Sequence, residues 1–233
     1  MQSVEVNGLV FDEYLSAREI SKIVASVATR INRDYAGKEP LFICVLNGAF
    51  MYASDLFKRI TLPSEITFVR LKSYEGTATT GKVKILTPLT VDVEGRDVIV
   101  IEDIIDTGLT MHGFIEQLEK MGARSVELTS FLFKPEALRY ADATPKYAGL
   151  EIPTKFVLGY GLDFDEKGRN LPALYVLRSS ESWELRVKSW EFIMKFLEKI
   201  GEYFLLMGRV LRTPDRWRMF WRQLSKEMEK QGL

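Results

Sequence analysis

An α/β protein with a parallel sheet flanked by helices is what the sequence predicts, on three observations. Short runs rich in β-branched residues alternate with stretches of helical periodicity through most of the chain. One segment, VIVIEDIIDTGLTM at 98–111, reads as an apolar strand, two acids, a short turn with Gly108 and then a helix. Such a unit places ligands at the carboxyl edge of a parallel sheet. Finally, 233 residues of which 46% are hydrophobic suffice for one full core plus an appendage.

In chain order, Ser16 to Glu19 reads as a capping box, and Ile20, Ile23, Val24, Val27, Ala28 and Ile31 then recur at helical spacing. After turn residues Gly37 to Pro40, the runs LFICVL (41–46), EITFVRL (65–71), VKILT (83–87) and DVIVIE (97–102) predict strands. Helical periodicity fills 49–60, and again Thr107 to Met121, which Gly122 ends. Further strands are predicted at SVELTSFLF (125–133), KFVLGY (155–160) and ALYVL (174–178), so the body resembles a parallel α/β sheet with ligands at its carboxyl edge.

Charge and cysteine usage narrow the function classes. Lysine plus arginine and aspartate plus glutamate each number 32, so zero net charge gives no hint of nucleic-acid binding. The lone Cys44 sits inside an apolar run, which rules out a disulfide within the chain and predicts a buried thiol in a reducing, cytoplasmic setting. No basic start precedes an apolar stretch, and no window approaches the roughly 18 apolar residues of a membrane span, which argues against secretion and insertion.

Segment 98–111 carries the chemistry. Backbone N–H groups from Asp106 to Thr110 are expected to face a concavity at a helix N-terminus, where the macrodipole and the hydroxyls of Thr107 and Thr110 favour a phosphate. Gly108 permits close backbone approach. Glu102 and Asp103 repel a phosphate but accept hydrogen bonds from sugar hydroxyls, so a sugar phosphate fits better than free phosphate. The glycine-rich run and Gly-Lys-Ser/Thr ending of a Walker loop are absent.

The nonapeptide EDIIDTGLT resembles the phosphoribosyl pyrophosphate signature of the hypoxanthine-guanine phosphoribosyltransferases. Four more segments extend the resemblance across roughly residues 5–178: VLNGAFMYASDLF (45–57), VRLKSYEGTATTGKVKIL (69–86), FLFKPEALR (131–139) and GLEIPTKFVLGYGLDFDEKGRNLP (149–172). It implies the type I phosphoribosyltransferase fold, a parallel sheet with a small hood. It also implies transfer of a phosphoribosyl group to hypoxanthine or guanine with Mg²⁺, in a homodimer or homotetramer.

Roles follow residue by residue from the resemblance. Asp106 matches the general base toward N7 of the purine; read locally, it is also a candidate helix N-cap. Lys134 matches the donor to the purine's O6, which selects against adenine; by itself it reads as a solvated lysine after a strand. Phe156 matches the aromatic that stacks on the base, and Val157 supplies backbone contacts to its edge. Asp163 matches a carboxylate that holds Mg²⁺ partly through water, with Glu102 and Asp103 as further metal or ribose ligands, and Arg169 matches the arginine on pyrophosphate.

Leu46, Asn47 and Gly48 match a loop that binds pyrophosphate through backbone amides and often includes a non-proline cis peptide. Asn47 and Leu109 depart from the lysines frequent at their positions, with little loss expected because the backbone makes those contacts. Ser73 and Tyr74 resemble the start of a loop that closes over the reacting sugar and excludes water. Arg70 and Lys72 just before it could reach pyrophosphate, in the same subunit or a neighbouring one. His112, the only histidine, reads as a surface helix position.

Near residue 180 the composition changes: all four tryptophans lie beyond it and seven of the eight prolines before it. The division is therefore a catalytic domain at 1–180 and a helical, amphipathic extension at 181–233. Eleven basic and eight acidic residues beyond Ser180 make the extension mildly basic. Arginines flanking apolar residues suit a helix on a membrane surface or a docking helix. From Met194 onward it is similar to the amphipathic N-terminal segment of MlaE-type lipid-transport permeases, which suggests two joined reading frames. A non-catalytic sensor of phosphoribosyl pyrophosphate is the competing function, against which Asp106, Lys134 and Asp163 speak.

Overall fold

The computed structural model describes residues 2–73, 83–87 and 89–178. Tyr74, the rest of the predicted closing loop up to residue 82, and the extension at 181–233 lie outside the described residues. The chain opens with a hairpin, β1 (Ser3–Val6) and β2 (Leu9–Leu15), turned by Asn7 and Gly8 at φ +51° and +77°. An Asn-Gly pair takes these angles at little cost.

Helix α1 (Ala17–Asp34) follows with its capping box in place: Ser16 Oγ accepts from Glu19 N at 3.3 Å, and Ser16 N donates to Glu19 Oε2 at 2.9 Å. Then come β3 (Leu41–Leu46), α2 (Phe50–Phe57), β4 (Glu65–Ser73), β5 (Val83–Ile85), β6 (Asp97–Ile105), α3 (Leu109–Lys120), β7 (Ser125–Phe133), β8 (Tyr147–Glu151), β9 (Val157–Leu158) and β10 (Leu174–Leu177). The main sheet runs β5-β4-β3-β6-β7-β8; its pairs are parallel except β4 with β5.

Alternation in the central strands fills two cores. Phe42, Cys44, Ile99 and Ile101 face α1 and α2, while Ile43, Val98 and Val100 face Met111, Phe114 and Leu118 of α3. The sheet is thus sandwiched between helices. Cys44 is buried and free, and burial pushes its thiol up to about 12. From β3 the chain proceeds outward to β4, and from β6 outward to β7. A crevice therefore opens between the β3 and β6 carboxyl ends, where ligands of such sheets bind.

KFVLGY and ALYVL do not join the parallel sheet; β9 and β10 form a separate antiparallel sheet, β1-β2-β10-β9, over Phe11, Leu158, Ala173 and Tyr175. Positive φ at Gly159, Tyr160 and Gly161 cuts the first run to two residues. Strand β6 also runs to Ile105, so Glu102 and Asp103 belong to the strand and not to the turn.

Candidate active site

Four strand ends deliver the candidate residues to one edge. Leu46 closes β3, Ser73 closes β4, Ile105 precedes Asp106, and Phe133 precedes Lys134. In the parallel register Ile105 pairs with Phe133, so the next residue on each strand meets its counterpart. Lys134 Nζ donates to Asp106 Oδ2 at 2.8 Å. Only 8% of Lys134 is exposed, which corrects its reading as a solvated lysine.

Beyond Asp106 the chain turns through Gly108 (φ +78°), which is the N-cap of α3; Asp106 is therefore not the cap. A Cβ on Gly108 would lie 2.8 Å from Ala143 Cβ and 2.9 Å from Leu138 Cδ1, so glycine is required by packing as well as by φ. Arg139 N donates to Thr107 O at 3.0 Å, and Leu109 N reaches Thr107 Oγ1 at 3.4 Å. No acid lies in the first turn of α3, and Leu109 and Thr110 begin the helix at its positive end. His112 is less exposed than expected: it stacks on Tyr140 with centroids 4.5 Å apart, and its Nδ1 lies 2.6 Å from Asp142 Oδ2.

The acidic pair sits at the crevice floor. Glu102 Oε2 is buried without a hydrogen-bond partner, and burial, then the neighbouring Asp103, holds that carboxyl well above its usual range. Asp103 is raised to about 6 by burial, partly offset by hydrogen bonds such as the one from Ile104 N at 2.8 Å and by the charge of Arg169. Two desolvated acids side by side favour a cation or sugar hydroxyls between them. Among the described residues no cluster of three His, Cys, Asp or Glu side chains forms a metal cage by itself, so a bound ion would draw further ligands from substrate or water.

Asp103 abuts the β3 loop, where a Cβ on Gly48 would overlap its carboxylate. The Leu46–Asn47 peptide in this loop is cis, as the resemblance implied. Gly161 lies against the other side of Gly48, since a Cβ there would run into the Gly48 carbonyl. Arg169 Nη1 donates to Gly161 O at 2.9 Å, and Nη2 is 2.7 Å from Asp163 Oδ1. The other Asp163 oxygen accepts from Glu166 N at 2.8 Å. Leu46–Gly48, Glu102–Asp103 and the Asp163–Arg169 turn therefore form one connected wall. Gly161 and Tyr160, which complete it, were missed in the sequence; the Gly-Tyr-Gly triplet was the available signal.

Phe156 is 43% exposed just before β9, while Val157 is buried and pairs with Val176. Phe156 packs 5.6 Å from Phe164, next to Asp163. Ser73 ends β4 at the same sheet edge.

A helix entry open to phosphate, an acidic pair beside it and a carboxylate paired with an ammonium describe a cleft for a phosphorylated sugar and a second, neutral reactant. The family model for the phosphoribosyl transferase domain matches residues 10–165, which sets the class. Hypoxanthine-guanine phosphoribosyltransferases of Streptococcus thermophilus and Bacillus subtilis are each 41% identical, over 164 and 165 residues, covering 70% of this chain and 91% of theirs. A crystal structure of a Bacillus anthracis hypoxanthine-guanine phosphoribosyltransferase superposes with a TM-score of 0.68 at 39% identity, covering 72% of this chain and 97% of that one. The chain belongs to the hypoxanthine-guanine phosphoribosyltransferase family.

Proposed function

We propose that the protein transfers the 5-phosphoribosyl group of phosphoribosyl pyrophosphate to N9 of hypoxanthine or guanine, releasing pyrophosphate and IMP or GMP. The observation that carries this is the Asp106–Lys134 pair at 2.8 Å, beside the phosphate-ready entry of α3. A 6-oxopurine protonated at N7 is the neutral reactant that matches it: N7–H is a donor for the carboxylate and O6 an acceptor for the ammonium. The base replaces the ion pair with two hydrogen bonds of the same polarity. A non-catalytic sensor of the sugar donor would have no need of that pair.

In the reaction the N9 lone pair forms the bond to C1′ as the bond from C1′ to the pyrophosphate oxygen breaks, and the N7 proton passes to Asp106. The Asp106 charge also stabilises the oxocarbenium-like sugar. Lys134 holds O6, Phe156 stacks on the ring and Val157 meets its edge. Backbone of Asp106 to Thr110 with the Thr107 and Thr110 hydroxyls holds the 5′-phosphate. Leu46–Gly48 and Arg169 hold pyrophosphate, and Ser73 and Tyr74 begin the covering loop.

Glu102, Asp103 and Asp163 are the residues that would hold Mg²⁺, and the unpartnered, desolvated Glu102 oxygen suits that ion. Bound there, Mg²⁺ supplies charge neutralisation for the leaving pyrophosphate. A homodimer or homotetramer in the cytoplasm belongs to the same reading, and residues 181–233 form an extension outside the purine chemistry. Truncation after Ser180 that abolished activity would overturn the last point.

The test is pyrophosphate release with Mg²⁺ and hypoxanthine, guanine, xanthine or adenine, for wild type and Asp106→Asn. Release with 6-oxopurines, absent with adenine and reduced about 10²- to 10⁴-fold in the variant, is expected. No release with any purine despite donor binding would replace the enzyme by the sensor.

A further inference from the structure

Gly159, Tyr160 and Gly161 stand in succession in the left-handed region, at φ +98°, +51° and +99°. Glycine adopts such angles freely, whereas a bulky tyrosine requires its surroundings to hold it there. Those surroundings are visible. Tyr160 is 3% exposed, its ring lies 4.9 Å from Phe131, and its hydroxyl donates to Asp55 Oδ2 at 2.8 Å. The other oxygen of Asp55 is tied to Lys58 Nζ at 2.7 Å.

Asp55 lies on α2, which begins two residues after Gly48, so the anchor and the 46–48 loop belong to one continuous stretch. On the far side of Tyr160, Gly161 rests on the Gly48 carbonyl and presents its own carbonyl to Arg169. Backbone bonds tighten the same segment: Tyr160 N donates to Leu171 O at 2.8 Å and Gly161 N to Arg169 O at 3.0 Å. None of these bonds involves Asp106 or Lys134.

We infer that Tyr160, fixed by Asp55, is a positioning residue for the pyrophosphate end of the site: its hydroxyl seats Gly161 across Gly48 and so sets Arg169 against the 46–48 loop. The inference rests on the reading that this loop and Arg169 hold pyrophosphate. Loss of the hydroxyl should loosen the donor end and leave the purine end unchanged.

Steady-state kinetics of Tyr160→Phe test it, together with inhibition by pyrophosphate. The KM for phosphoribosyl pyrophosphate and the inhibition constant of pyrophosphate should each rise roughly tenfold, with the hypoxanthine KM within about twofold. Asp55→Ala should reproduce this. Asp55→Asn, which keeps an acceptor for the tyrosine, should restore most of the donor affinity. A role in folding alone would lower the active fraction and the thermal midpoint without separating the two substrates. An unchanged donor KM in an active Tyr160→Phe enzyme, or equal shifts for both substrates, overturns the inference alone. Absence of turnover by wild type sinks the underlying reading and this inference with it.

Discussion

Replacing Lys134 by glutamine tests how the enzyme tells 6-oxopurines from adenine. Lys134 is 8% exposed and its ammonium lies 2.8 Å from Asp106, so on the proposed function a purine O6 exchanges one charge-assisted contact for another. A hydrogen bond to a charged group contributes about 1.5–3 kcal/mol, and its loss corresponds to a fall of about 10- to 150-fold in kcat/KM for hypoxanthine. Adenine presents an amino group at the same position, which the ammonium repels. A glutamine side chain can turn its carbonyl toward that amino group, so activity with adenine should rise as activity with hypoxanthine falls. The assay is kcat/KM for hypoxanthine, guanine and adenine in wild type and Lys134→Gln. A hypoxanthine value within twofold of wild type, with discrimination against adenine intact, would refute the assignment of O6 to Lys134.

Two further perturbations follow from the crevice floor and the phosphate turn. Burial raises the Glu102 and Asp103 carboxyls above their unfolded values, so the folded protein retains protons that the unfolded chain has released, and stability falls as pH rises from about 4 through 6 and beyond. The lowered carboxyls of Asp12, Asp34 and Asp97 act below this window. Glu102→Gln should therefore raise the thermal midpoint at pH 7–8 in EDTA and flatten its decline with pH; identical profiles for variant and wild type would contradict this. Gly108→Ala places a methyl against Ala143 and Leu138 at a backbone angle that alanine resists, and should raise the KM for phosphoribosyl pyrophosphate about 5- to 150-fold, corresponding to roughly the 1–3 kcal/mol of such strain. Unaltered donor kinetics would show that the turn does not bind the phosphate.

What was legible in the sequence was local. Strand, glycine and helix of segment 98–111 are contiguous, so hydrophobic period and turn chemistry sufficed to place them. The meeting of Asp106 with Lys134 was not legible from a separation of 28 residues; it follows from the parallel pairing of Ile105 with Phe133, which no spacing rule supplies. KFVLGY and ALYVL could not be placed for a related reason. An apolar run does not declare which sheet it joins, and the choice was made by a hairpin at the other end of the chain. That hairpin carries an Asn-Gly turn, a strong short-range signal which the alternation of larger elements overshadowed.

The same crevice explains where the structure leaves polar groups unsatisfied. Among the described residues, the buried side-chain atoms without a hydrogen-bond partner are Glu102 Oε2 and Arg169 Nε, one acceptor and one donor. Native folds satisfy nearly all such atoms, because leaving one unpaired costs about 1–3 kcal/mol. Random imperfections would scatter over the molecule. These two flank Asp103, whose carboxyl feels the charge of Arg169, and both lie on the wall formed with Gly48 and Gly161. A ligand that satisfies both must bring hydroxyl or cationic character to one end of that wall and anionic oxygen to the other. A ribose carrying pyrophosphate has both, which is why the proposed function assigns the donor to this wall.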